Sequence, residues 1–155
     1  MAEGFYSKPE VVVEKFRENI INAVGRGDFE LVNDTDKKYP YNAEEKFGPG
    51  HWSLKLSGGT VIASFTLQQM VGCCGVCIST GASVHPDYQK RGLGLVMNSI
   101  RIDMARAMGY GVLMCTDVVK NEPQRKILVQ NGWKDVHEFI NPRTKNRVAI
   151  SVINL

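Results

Sequence analysis

The sequence predicts an α/β protein of one domain, residues 1–155, with a mixed central sheet of about six to seven strands flanked by helices. Three observations carry this. Strand-like patterns cover Trp52–Leu56, Val61–Met70 and Val76–Val84. Helical periodicity then appears over Gly92–Ala107 and Glu122–Gln130, with the short apolar run Val112–Cys115 between them. A strand–helix–strand unit at this point predicts a right-handed parallel crossover, set among strands that otherwise run antiparallel.

Each element has its own signals. Ser7-Lys8-Pro9-Glu10 is a capping box with Pro in the first turn. Val13, Phe16, Ile20 and Val24 continue that helix, and Gly25 ends it. No element is assigned to residues 26–32. Residues 33–51 are polar and turn-rich, a long loop with room for a short helix at Ala43–Phe47. Ser57-Gly58-Gly59 marks a hairpin turn. In the strand ending at Val84, one face carries the smaller, more polar set Cys77, Ser79, Gly81 and Ser83, and Pro86 stops it. The helix from Gly92 is expected to bury Leu93, Val96/Met97, Ile100, Met104 and Ala107/Met108, to turn Asn98, Arg101, Asp103 and Arg106 to water, and to close at Gly109. Val112–Cys115 is expected to be covered on both faces. Asn131-Gly132 closes the helix at 122–130, and Trp133–Ile140 and Arg147–Leu155 form a final hairpin.

Composition removes several classes. With 43% apolar and 23% charged residues the chain is a globular protein. No apolar stretch approaches the ~18 residues of a membrane helix, and no secretory signal opens the chain, so the expectation is a cytoplasmic protein without membrane contact. A net charge of +3 does not argue for nucleic acid, although Arg143, Lys145 and Arg147 cluster near the C-terminus. Cys73, Cys74, Cys77 and Cys115 lack the second ligand pair of a zinc site and the following helix of a redox dithiol. They are expected to be buried, reduced thiols, with no metal.

The chemistry sits in His85-Pro86-Asp87-Tyr88-Gln89-Lys90-Arg91-Gly92-Leu93-Gly94-Leu95, where a strand ends and glycines open a helix. Unpaired N–H groups at a helix start attract anions. Gly92 and Gly94 let a diphosphate approach the backbone, and Lys90 and Arg91 add positive charge. A dinucleotide loop would need a third glycine at Met97, and a Walker loop would need a Gly-Lys-Ser/Thr ending.

Gln89-Lys90-Arg91-Gly92-Leu93-Gly94 resembles the Q/R-x-x-G-x-G/A signature of the GCN5-related N-acetyltransferases. Asn121-Glu122-Pro123-Gln124-Arg125-Lys126-Ile127-Leu128-Val129-Gln130-Asn131-Gly132-Trp133 resembles the N-x-x-A-x-x-L-Y-x-x-x-G-F segment of the same family, and the likeness spans about residues 76–133. The resemblance implies a fold with a splayed parallel strand pair that holds acetyl-coenzyme A. It implies that backbone at Val84 pairs with the pantetheine arm, and that amides from Lys90 to Leu95 cradle the pyrophosphate. Asn121 would contact the pantetheine region and Arg125 would reach the phosphates. The implied activity is direct transfer of an acetyl group to an amine.

The sequence departs from that pattern at Leu128, where the family carries a tyrosine acid, and at Gln124, where it carries Ala or Ser. Replacement candidates for the chemistry are Tyr88, Ser79 on the strand ending at Val84, and Asp117. Asp117 is a base or amine anchor, or else the cap of the next helix. His85 is expected to be structural, and Glu44, Glu45 and His51 are surface residues or the border of an acceptor site. Acceptors consistent with the resemblance are a small molecule, a peptide or another amine, and a nucleic acid or aminoacyl-tRNA met by the basic turn. A catalytically weak acyl-coenzyme A-binding module is the non-enzymatic alternative. Homodimerisation through the last strands is a further implication of the resemblance.

Overall fold

A computed structural model describes residues 9–34 and 49–155. Helices α1 (Pro9–Lys15) and α2 (Arg17–Val24) come first, followed by strands β1 (Phe29–Asn33), β2 (Gly50–Leu56), β3 (Val61–Met70) and β4 (Cys73–Val84). Helix α3 (Leu93–Ala107) leads to β5 (Val112–Val118), and α4 (Glu122–Gln130) leads to the hairpin β6 (Lys134–Ile140) and β7 (Arg147–Asn154). Among the described residues seven strands form one sheet in the order β1-β2-β3-β4-β5-β7-β6. β4 and β5 run parallel and every other neighbouring pair runs antiparallel, as the strand–helix–strand pattern predicts. Ser7, Lys8 and the short helix expected at 43–47 lie outside the described residues.

Four local expectations need correction. The N-terminal helix is interrupted at Phe16, whose N–H bonds the Val13 carbonyl three residues back at 3.0 Å, the tighter turn that separates α1 from α2. Gly25 does end the run, at φ 81° with its N–H on the Ile21 carbonyl. β1 adds a strand to those predicted, with Phe29 and Leu31 buried on either side of exposed Glu30. Cys73 and Cys74 are exposed on the hairpin that starts β4, so the buried-thiol expectation holds for Cys77 and Cys115. Burial pushes those two thiols up, to about 12 and about 11. β5 is covered fully on one face, where Leu113, Cys115 and Asp117 are buried, while Thr116 on the other is exposed.

The fifth correction concerns the site. Asn98 and Arg101 do not face water: they are 3% and 2% exposed. The reason is packing on several sides. α3 lies against β3 and β4 and also against α1, α2 and α4, so more than its apolar stripe is enclosed. The core around it contains Trp52, Leu54, Ile62, Phe65, Leu67, Leu93, Ile100 and Leu113, all fully buried. Among the described residues no helix is long and apolar enough to cross a membrane.

Candidate functional site

The site is built where the sheet opens. β4 and β5 pair at Val76↔Val112, Cys77↔Leu113 and Ile78↔Met114, and both strands then continue without pairing to each other. A bulge accompanies the parting. Between Ser64↔Ser83 and Thr66↔Thr80, β3 advances two residues while β4 advances three, and Gly81 in that stretch has φ 61°. A bulge bends the strand that carries the extra residue and interrupts its ladder. β4 from Ser79 to Val84 thus offers backbone groups that β5 does not use.

The loop after β4 closes one side. His85 accepts the Asp87 N–H on Nδ1 at 3.2 Å and starts the tight turn Pro86–Tyr88, the structural role expected of it. Lys90 (φ 60°) and Gly92 (φ 85°) are left-handed on either side of Arg91, the kind of alternation that can gather successive N–H groups into a concavity suited to an anion. Helix α3 then begins at Gly92 with no side-chain cap and no acidic residue in its first turn. Its first N–H groups have no intrahelical acceptor. The contrast is α4, which caps itself when Asn121 Oδ1 accepts the Gln124 N–H, with Glu122 in its first turn.

The two glycines act differently. At Gly92 a Cβ would meet nothing within 4 Å, and the left-handed φ is what calls for glycine. At Gly94 a Cβ would stand 3.2 Å from Ile127 Cδ1, so this glycine lets α3 approach α4. Both glycines line a cavity of about 600 Å³, together with Val84, Gln89, Lys90, Leu95 and Asn121. Gln89 Nε2 donates to the Val84 carbonyl at 2.9 Å and ties the loop to the strand. Arg91 lies over the Tyr88 ring at 5.4 Å, and the Leu93 side chain belongs to the core. The uncapped helix start, the glycine cradle and the unpaired β4 edge fit an elongated anionic ligand with amide groups.

Asn98 and Arg101 line the inner part of the same cavity. Arg101 Nε donates to Asn98 Oδ1 at 2.7 Å and Nη1 to Ser79 Oγ at 3.1 Å, while its guanidinium lies 5.1 Å from the Trp133 ring centre. Arg101 Nη2 and Asn98 Nδ2 are buried without a hydrogen-bond partner. Sequence reasoning missed both residues, because polar side chains off the apolar stripe of a helix read as solvent-facing.

The remaining candidates are placed as follows. Ser79 is buried and its hydroxyl is taken by Arg101, and Tyr88 is half-buried between His85 and Arg91. Asp117 does not cap α4; its carboxylate pairs with Arg125 Nη1 at 3.3 Å. Burial pushes the Asp117 carboxyl up against the opposing pull of Arg125. Arg125 also pairs with Asp135, which accepts from Ser151 Oγ, so its guanidinium is held between two carboxylates. Leu128 is buried in the core. His51 Nδ1 is 2.9 Å from Thr66 Oγ1, and Glu44 and Glu45 lie outside the described residues. In the basic turn, Arg147 pairs with Glu138 at 3.3 Å. Among the described residues no cluster could hold a metal ion.

No protein-family model and no curated protein sequence matches this chain. Solved structures do. A putative acetyltransferase, yncA, from Salmonella typhimurium, determined with its cofactor acetyl-CoA, is 16% identical over 95% of this chain and 88% of its own, with a TM-score of 0.63. The ribosomal-protein-S18-alanine N-acetyltransferase from Escherichia coli is 18% identical over 76% and 75%, with a TM-score of 0.60. Spermidine N-acetyltransferase from Vibrio cholerae, in complex with CoA and spermine, is 13% identical over 76% and 72%, with a TM-score of 0.62. The chain has the fold of the GCN5-related N-acetyltransferases.

Proposed function

We propose that this protein is an N-acetyltransferase that uses acetyl-coenzyme A. The observation that carries the reading is the uncapped N-terminus of α3, opening at Gly92 into a cavity bounded by the unpaired edge of β4. The N–H groups of the loop from Lys90 to Leu95 bind the diphosphate, with Lys90 adding charge. The β4 edge near Val84 binds the pantetheine amides by strand-like pairing, and Asn121 borders the same channel. The cofactor supplies an acetyl group activated as a thioester. The chain's own part is to orient the reactants and to place hydrogen-bond donors at the fork of β4 and β5, which excludes water on the core side.

The acceptor is an amine. Neighbours of the same fold include enzymes named for spermidine and for the alanine of ribosomal protein S18, which supports testing polyamines and peptide N-termini first. Acetyl-coenzyme A-dependent release of free thiol should rise above background with at least one member of a panel of polyamines, amino acids and peptides. Saturable binding without turnover on every acceptor would favour the alternative, a binding module, for which buried Leu128 at the place of the family's tyrosine speaks. Activity on RNA that falls steeply with salt would instead assign a role to Arg143 and Lys145. A homodimer through β6 is consistent with exposed Val136, Phe139 and Ile140, and sedimentation velocity would expose it.

A further inference from the structure

Arg101 is 2% exposed, and among the described residues no carboxylate forms an ion pair with it. Guanidinium groups are not deprotonated in proteins, so a positive charge is buried in the inner cavity. Two of its nitrogens are held, Nε by Asn98 and Nη1 by Ser79, while Nη2 and the neighbouring Asn98 Nδ2 are left without partners. A structural arginine normally has its donors satisfied, since an unpaired buried charge is costly. Here two buried donors, on two residues that line one cavity, are without partners at once.

Their position in the fold gives them meaning. Ser79, which holds Nη1, is the first β4 residue beyond the last β4–β5 pair at Ile78↔Met114. Arg101 therefore reaches the point where the strands part. Cys115 and Asp117 on the facing strand are its electrostatic neighbours; the Cys115 thiol is neutral, and Asp117 has Oδ2 paired with Arg125 while its Oδ1 is buried without a hydrogen-bond partner. The position of the family's tyrosine acid is Leu128, which holds no proton to give.

We propose that Arg101, with Asn98 beside it, is an anion seat that receives the sulfur of the leaving thiolate during acyl transfer. The inference rests on the reading of the cavity as an acyl-coenzyme A site. In the transfer a C–N bond forms between the acceptor amine and the acyl carbon, and the C–S bond breaks with its electron pair left on sulfur. The surplus proton of the amine goes to solvent, and solvent protonates the thiolate on release. Arg101 gives up no proton and acts by charge, which matters most when sulfur becomes negative.

The test uses the full-length protein and follows the ultraviolet absorbance of the coenzyme A thiolate as pH is raised, with and without the protein. Bound to wild type, the thiol should titrate about one pH unit or more below free coenzyme A, a tenfold effect. R101Q and R101M should abolish the shift, while R101K should keep part of it. All should bind desulfo-coenzyme A, which lacks the sulfur, with wild-type affinity. An unshifted thiol in the wild-type complex overturns the proposal even if the variants fail to fold. Equal loss of affinity for coenzyme A and the desulfo analogue in R101M would also overturn it, by making Arg101 structural. So would an Arg101-dependent preference for succinyl- over acetyl-coenzyme A, which would seat a carboxylate there. Wild type that binds neither coenzyme A nor its analogue defeats the underlying reading of the cavity instead.

Discussion

Arg101 and Gly92 carry the site for different reasons, and each can be challenged by one substitution. A buried cation is costly to desolvate, but its removal strands the buried acceptors it holds, and the two effects oppose. Arg101→Met is therefore expected to change the urea-unfolding free energy by no more than about 1 kcal/mol. A loss of about 3 kcal/mol or more would mean that Asn98, Ser79 and Trp133 depend on the guanidinium more than the geometry suggests. Gly92 was legible from sequence as a glycine at a helix start, and its left-handed φ adds a reason that no sequence pattern records, while Gly94 has a second duty against Ile127. Asn98 and Arg101 were not legible, because their burial comes from α1, α2 and α4 closing around α3. No periodicity along one helix records what its neighbours will cover.

Helix α3 is held by its core face, and β5, α4 and β6 are joined by a charge bridge, and the two respond to different stresses. Ile100 is fully buried beneath the cavity-lining residues. Ile100→Ala should cost about 2–5 kcal/mol in chemical denaturation, since the cavity left behind adds to the lost transfer energy. The bridge Asp117–Arg125–Asp135 titrates with two opposite signs. Arg125 beside Asp135 holds its carboxyl below the usual range. The stability this gives is present above the unfolded carboxyl value of about 3.9 and is lost as pH falls through the lowered folded value. Asp117 is raised by burial, so its share is present below about 3.9 and is lost as pH rises through the folded value. Asp135→Asn should therefore flatten the acid limb of the melting-temperature profile between about pH 5 and 2, and Asp117→Asn should not. A profile unchanged by Asp135→Asn would mean that the Arg125–Asp135 pair adds nothing to stability. Elements were read from sequence with uneven success on this scale. Glu122–Gln130 and Val61–Met70 match their predicted bounds because caps and turns delimit them. β1 escaped because five residues give only the pair Phe29 and Leu31 as a signal, and the β4 bulge escaped because Gly81 sits in a run of small residues that fits an unbroken strand.

Across the whole molecule the fold converts one topological event into a site. A parallel pair within an antiparallel sheet parts after three residue pairs, and the helix linking the two strands starts beside the opening. The uncapped start of α3, the free edge of β4 and the buried donors at the fork then lie along one cavity. The motif at 89–94 made the outer end of that cavity readable, since its chemistry is backbone chemistry fixed by local sequence. Its inner end depends on three elements distant in the chain and became visible only in the fold. The most direct measurement is calorimetric titration of the protein with acetyl-coenzyme A, in wild type and in Gly92→Glu, where the new side chain meets open space and the fold survives with about 1–2 kcal/mol of backbone strain. Saturable one-to-one binding by wild type, weakened at least about a hundredfold (2.8 kcal/mol) in Gly92→Glu at a retained melting transition, is the predicted result. Wild type that does not bind, or a variant that binds as tightly as wild type, would contradict it.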